Sequence, residues 1–342
     1  MELTDRRQQI LKNLVEAYVE SATPVSSEAI ARRTSTGVSS ATIRNDLANL
    51  EELGLVQHPH TSAGRVPTEL GYRYFVEHLM EHEAPPPVEQ RTIRHQFHQI
   101  QLTADRWAVL AASILASAVH AASIVTLPLA PRARVRSLEL LSVQDELGLL
   151  VLIVQSGIVR QQLIHWSRPF SRDALNQLSN RLSQECEGCT AEELLQRASG
   201  VDTEESEALR AAAQLLSEAE QRMYETIHFE GISHVLDQPE FARSQALRPF
   251  VELLERTPAL GSYLVESSAP DVVRIIIGSE HALDRMQHTS TVLARYGVRS
   301  GPYGVLAVVG PTRMAYWRAV SMIRFMASVM DVLMDDPSER VS

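Results

Sequence analysis

The stretch Val38-Ser39-Ser40-Ala41-Thr42-Ile43-Arg44-Asn45-Asp46-Leu47-Ala48-Asn49-Leu50-Glu51-Glu52-Leu53-Gly54 has one apolar stripe and one small, polar face. Ile43, Leu47, Leu50 and Leu53 recur at helical spacing, so this side packs on its own domain. Ser40, Ala41, Arg44, Asn45, Ala48 and Asn49 occupy the other faces. Ser39 or Ser40 is a good N-cap, which directs unpaired amides and the positive dipole end outward, where an oxyanion such as phosphate is favoured. Ser39, Ser40 and Thr42 suit that task. Arg44 and Asn45 then fall in the first two turns, with Asn49 one turn further on. Arginine and asparagine pair bidentately with guanine and adenine edges, and the first turns of a reading helix are the part that reaches bases.

Outward from this helix the pattern is consistent. Ser26 to Thr34 reads as a short capped helix and Gly37 supplies a turn, which is helix-turn-helix spacing. Asp5 to Ser21 is amphipathic through Ile10, Leu11, Leu14, Val15, Tyr18 and Val19, and completes a three-helix core. Downstream, Leu55-Val56-Gln57 and Val66-Pro67 pair as edge strands around a loop containing His60, Thr61, Ser62, Gly64 and Arg65. That loop is a wing, with Arg65 placed to enter a minor groove or hold phosphate. A polar helix face alone is also the mark of any solvated helix.

The run from Ser39 to Asp46, the Leu-Glu-x-x-Gly at 50–54, the Pro-His-Thr-Ser-Ala-Gly-Arg-Val-Pro-Thr at 59–68 and the Gly-Tyr-Arg at 71–73 closely resemble the HrcA family of bacterial heat-inducible transcription repressors. Gly278-Ser279-Glu280 and Tyr303 to Met314 look like blocks of that family's C-terminal half. The resemblance implies a GAF-like domain carrying a dimerisation insert. It also implies a homodimer on an inverted-repeat operator near chaperone genes, modulated by the GroE chaperonin.

Composition bounds the remaining possibilities. With 342 residues, 44% of them hydrophobic, the chain can bury two or three cores. A net charge of −10 argues against indiscriminate coating of DNA. Residues 182–230 hold twelve acids against three basic residues, nearly the whole excess. Residues 32–75 hold five arginines against four acids, so phosphate neutralisation per chain is modest and a dimer is needed for useful affinity. Lys12 is the only lysine. The start Met-Glu-Leu-Thr-Asp lacks a signal pattern and no apolar run reaches membrane length, so a cytoplasmic location is expected.

The expected architecture is multidomain α+β. A winged helix-turn-helix domain spans 1–83 and a proline-rich linker 84–90. A GAF-like α+β domain is assembled from 91–170 and 266–342, around an inserted, mainly helical dimerisation subdomain at 171–265. Strands are expected at 124–129, 135–143, 147–155 and 158–166, with turns at Asp145-Glu146 and Ser156-Gly157. Strands return at 272–277, 291–296 and 305–309, and 312–334 closes as an amphipathic helix.

Other chemistries find little support. Cys186 and Cys189 form one Cys-x-x-Cys, a weak signal for a redox pair or half a zinc site, which the same pair of a second copy, or His165, His228 or His234, would have to complete. No nucleotide-binding, zincin or nucleophile-elbow motif is present, so no cofactor, metal site or enzymatic activity is expected. The alternative reading is a ligand- or protein-binding GAF-like sensor whose N-terminal module mediates protein contacts. Salt separates the two, because arginine-mediated DNA binding weakens steeply as salt rises.

Overall fold

The computed structural model describes residues 3–34, 39–59, 64–81, 83–99, 103–128, 133–144, 146–155, 157–201, 203–223, 227–242, 257–298 and 301–335. Helix α1 (Asp5–Ser21) buries Ile10, Leu11, Leu14 and Val15, as its spacing requires. Helix α2 (Ser27–Arg33) is capped by Ser26, whose hydroxyl accepts the Ala29 N–H. Asn13 of α1 donates to Thr34 Oγ1 at 3.0 Å, tying the two helices through a buried polar pair. Helix α3 (Ser40–Glu52) seats Ile43, Leu47 and Leu50 in this core. The turn expected at Gly37 lies outside the described residues.

Strand β1 (Val56–Gln57) pairs antiparallel with β2 (Val66–Pro67), and a bridge between Val25 and Arg65 adds a third short edge. Helix α4 (Glu69–Tyr74) starts at Thr68, whose hydroxyl accepts the Gly71 N–H and donates to Gly54 O. It continues as a π turn over Phe75–Leu79. Proline 87 is the first residue of α5 (Pro87–His98), so the linker is shorter than the expected 84–90. A proline is tolerated there because the first helical N–H has no partner in any case.

After α6 (Ala104–Val119) comes β3 (Ala122–Thr126), the first strand of a five-stranded antiparallel sheet. The others are β7 (Ile227–Glu230), β8 (Arg274–Ile277), β9 (Thr289–Gly297) and β10 (Tyr303–Pro311), in the order β7-β3-β10-β9-β8. In β10, Leu306 and Val308 face α6 and the last helix, α13 (Tyr316–Asp335). Val305, Ala307 and Val309 face the other side, against Leu260 and Leu264 of α12 (Thr257–Ser267) and Val235 of α10 (Ile232–Leu236). Helices on both faces explain why this strand is continuously apolar rather than alternating. A short α11 (Pro239–Ala242) follows α10.

The insert is larger at its start, and shorter at its end, than expected. Strands β4 (Val135–Gln144), β5 (Leu147–Val154) and β6 (Val159–His165) form a separate antiparallel meander, not part of the five-stranded sheet. Leu138, Leu140, Leu150 and Leu152 on its inner face share a core with α7 (Arg172–Cys186), α8 (Ala191–Ala198) and α9 (Thr203–Met223). These strands therefore belong with the helices that cover them, and residues 133–170 leave the GAF-like domain. At the other end, α9 is described to Met223, and Ile227–Glu230, expected within the helical insert at 171–265, instead pairs with β3. Asp145 and Ser156, expected in the hairpin turns, lie outside the described residues.

Candidate nucleic-acid interface

The orientation of α3 is set by a buried acid on its apolar stripe. Asp46, 3% exposed, receives Arg6 Nε at 2.7 Å and Arg7 Nε at 3.3 Å, which pin α3 to the start of α1. Burial works to raise the Asp46 carboxyl, but the hydrogen bonds and charges of the two arginines outweigh it and hold it below the ordinary aspartate range. The sequence held a signal for this role. Position 46 shares the stripe of Ile43, Leu47 and Leu50, and an acid there needs a partner.

With that face fixed, the opposite one is open. Ser39 caps the helix, accepting the Thr42 N–H at 3.2 Å, and its oxygen lies 3.0 Å from Thr42 Oγ1. Ser40 is half-buried next to it. Arg44 and Asn45 are exposed, as are the small Ala41 and Ala48 beside them. The Arg44 side chain is 68% exposed, and its ion pair with Glu28 of α2 spans 3.5 Å. Such a solvent-exposed pair contributes little and is readily exchanged for another acceptor. Asn49 donates to Asn45 O at 2.9 Å, so its amide lies along the helix rather than projecting from it.

The wing residues divide. His60, Thr61 and Ser62 lie outside the described residues. Arg65 is not a free guanidinium: its side chain is 12% exposed and donates to Glu51 Oε2 at 3.0 Å, while its backbone pairs with Val25 in both directions at 2.9 Å. Glu51 also lies 2.7 Å from His58 Nδ1. Burial would raise the Glu51 carboxyl, but its bonds with His58 and Arg65 lower it overall. Arg65 thus joins the end of α3 to the wing base. Gly64 is explained by close approach, since a Cβ there would fall 2.5 Å from the Val25 carbonyl. Any larger residue at this position would push the wing base away from the Val25 edge.

Cys186 and Cys189 are free thiols buried in the insert core, and burial pushes Cys186 up to about 11. Among the described residues no group of three His, Cys, Asp or Glu side chains is arranged to hold a metal ion, and no helix is long and apolar enough to cross a membrane.

A capped helix with an arginine-asparagine face, held on a three-helix core beside a two-stranded wing and followed by a GAF-like α+β domain, defines a winged helix-turn-helix transcription regulator. Residues 2–80 match the winged helix-turn-helix transcription repressor, HrcA DNA-binding model, and residues 105–320 the HrcA protein C-terminal domain. The chain belongs to the HrcA family. It is 40% identical over 341 residues to the heat-inducible transcription repressor HrcA of Roseiflexus castenholzii, covering 97% of this chain and 95% of that protein. It is 41% identical over 351 residues to the corresponding repressor of Chloroflexus aurantiacus, covering 98% and 94%. A crystal structure of a hypothetical protein at 2.2 Å resolution has the same fold, with a TM-score of 0.60, 21% identity and coverage of 97% and 99%.

Proposed function

We propose that this chain is a heat-inducible transcription repressor that binds a two-fold symmetric, inverted-repeat DNA site as a dimer. The observation that carries the reading is the exposed Arg44-Asn45 face on a helix whose other side is locked by Asp46. In this reading Arg44 and Asn45 contact base edges. Ser39, Ser40 and Thr42 present the helix N-terminus to phosphate, and Asn49 steadies the backbone beneath Asn45. The wing contact falls to His60, Thr61 and Ser62, with Gly64 and Arg65 shaping the wing's base.

Dimerisation through the insert is supported by the outer face of the β4-β5-β6 meander. Leu141, Val143, Val159 and Leu163 are each about half exposed there, and Leu141, Leu149 and Leu163 share one row of the register. An apolar sheet face of this size on a soluble regulator is suited to a second copy of itself across a two-fold axis. The boundaries we assign are 1–83 for the winged helix, 133–223 for the insert, and 87–128 with 227–335 for the GAF-like domain. The family resemblance adds chaperone genes as targets and the GroE chaperonin as modulator.

The test is fluorescence anisotropy against an inverted repeat that the protein selects from randomised duplexes, with a scrambled duplex alongside, at two salt concentrations. Tight binding to the repeat alone, weakening with salt, is expected. Equal or absent binding by folded dimer refutes a self-sufficient repressor.

A further inference from the structure

The block Gly278-Ser279-Glu280 has no part in the interface just described, yet it meets the winged-helix domain directly. Glu69 and Arg73 lie four residues apart on α4 and so share one face. Glu69 Oε2 accepts the Ser279 N–H at 3.1 Å and the Ser279 hydroxyl at 2.6 Å. Arg73 forks onto the Glu280 carboxylate, with Nε 2.8 Å from Oε1 and a terminal nitrogen on Oε2, and also donates to Ile275 O at 2.9 Å. Gly278 has φ +50°, and a Cβ built there would overlap the Glu69 carboxylate. Only glycine lets the acid enter.

The turn is itself rigid. Glu280 accepts the Ile277 N–H at 2.9 Å, and the buried His281 is bracketed by Gly278 O and Thr291 Oγ1, both at 2.9 Å. The receiving surface is therefore an extension of the five-stranded sheet. Apolar contacts between Tyr72 and Tyr316, and between Phe75 and Trp317, hold the domains together but carry little angular information. A bidentate arginine fork and a doubly accepting carboxylate impose direction as well as attraction.

We infer that the Gly278–Glu280 turn is an orienting seat for the winged helix, and that Glu69, Arg73, Gly278 and Glu280 are positioning residues that set the separation of the two reading helices in the dimer. This rests on the reading of a dimer on a two-fold site. Engagement of the second half-site is intramolecular, so its strength depends on how closely the held geometry matches the DNA. A single half-site makes no such demand. The seat therefore contributes to binding of the full operator and to the preference for one spacing, but not to binding of a half-site.

The full-length dimer is measured by anisotropy on three probes: the inverted repeat selected by wild type, the same repeat with two base pairs added or removed between its halves, and one half-site alone. Arg73→Ala, Glu69→Ala and Gly278→Ala are compared after circular dichroism and sedimentation show folded dimers. We expect each to lose about tenfold on the native repeat, to flatten the spacing preference, and to leave the half-site unchanged. Unchanged binding and spacing preference in the folded variants overturns the seat. So does an equal loss on all three probes with a shallower salt slope, which makes Arg73 a phosphate contact instead. Wild type that binds neither the repeat nor the half-site overturns the DNA-binding reading itself, and that result is visible before any variant is compared.

Discussion

Replacing Arg44 with alanine separates base reading from phosphate attraction. The side chain is 68% exposed and its pair with Glu28 is a 3.5 Å surface contact, so the free protein loses almost nothing and its unfolding midpoint stays put. Truncating a bidentate base contact costs about 1–3 kcal/mol per site. A symmetric dimer carries the change twice, so the expected loss on the full repeat is about 2–6 kcal/mol, or about 30-fold to about 20,000-fold in Kd. The assay is anisotropy on the selected repeat, together with duplexes in which each half-site base pair is exchanged in turn. Arg44→Ala should bind all bases equally at one position per half-site while keeping wild-type discrimination elsewhere. A uniform loss on every duplex, with a shallower salt dependence, refutes base reading. No loss at all refutes the assignment of α3 as the reading helix.

Four other outcomes follow from the structure. Ser39→Ala removes the cap of α3 and should destabilise the winged helix by about 1 kcal/mol in urea unfolding, with Ser39→Asp recovering most of it. The Asp46 carboxyl is held low in the fold, so its contribution is present above the unfolded value of about 3.9 and is lost as pH falls through the lower folded value. Asp46→Asn should therefore lessen the fall in stability below about pH 4, measured by thermal melts across an acid series. Leu163→Glu, on the outer face of the meander, should shift sedimentation towards monomer while leaving the melting of the winged helix in place. Cys186 and Cys189 should resist a disulfide reagent at pH 8 in the native protein and react promptly in denaturant; rapid native labelling would show that the insert core opens.

The parts of the fold legible in the sequence are those decided within one turn or one strand. The serine caps at 26 and 39, the stripe of α3 and the apolar, strand-forming runs of β4 and β5 all depend on near neighbours. Partner choice was less legible. Local composition and flanking turns mark β4–β6 as strands but do not say which sheet they join, and β7 is four residues whose pairing is fixed by β3, a hundred positions away. At the interface, Arg44 and Asn45 were readable because exposure follows from helical phase. Arg65 was not, because the acid that holds it, Glu51, faces it only after α3 and the wing have packed. The coupling of Arg73 to Glu280 spans 207 positions and leaves no local pattern.

The insert departs from β3 and comes back on β7, and in the register Thr126 stands opposite Ile227. Residues 127–226 are thus an enlarged connection in an ordinary hairpin. Closing a loop of that length costs only slowly increasing entropy, so the sheet tolerates it. The converse also holds. A two-residue turn joining Thr126 to Ile227 would meet the same geometric requirement, and the excised unit has its own hydrophobic core. The architecture is modular at this hairpin: insert and host can be exchanged, lengthened or separated by cutting at one pair of facing residues.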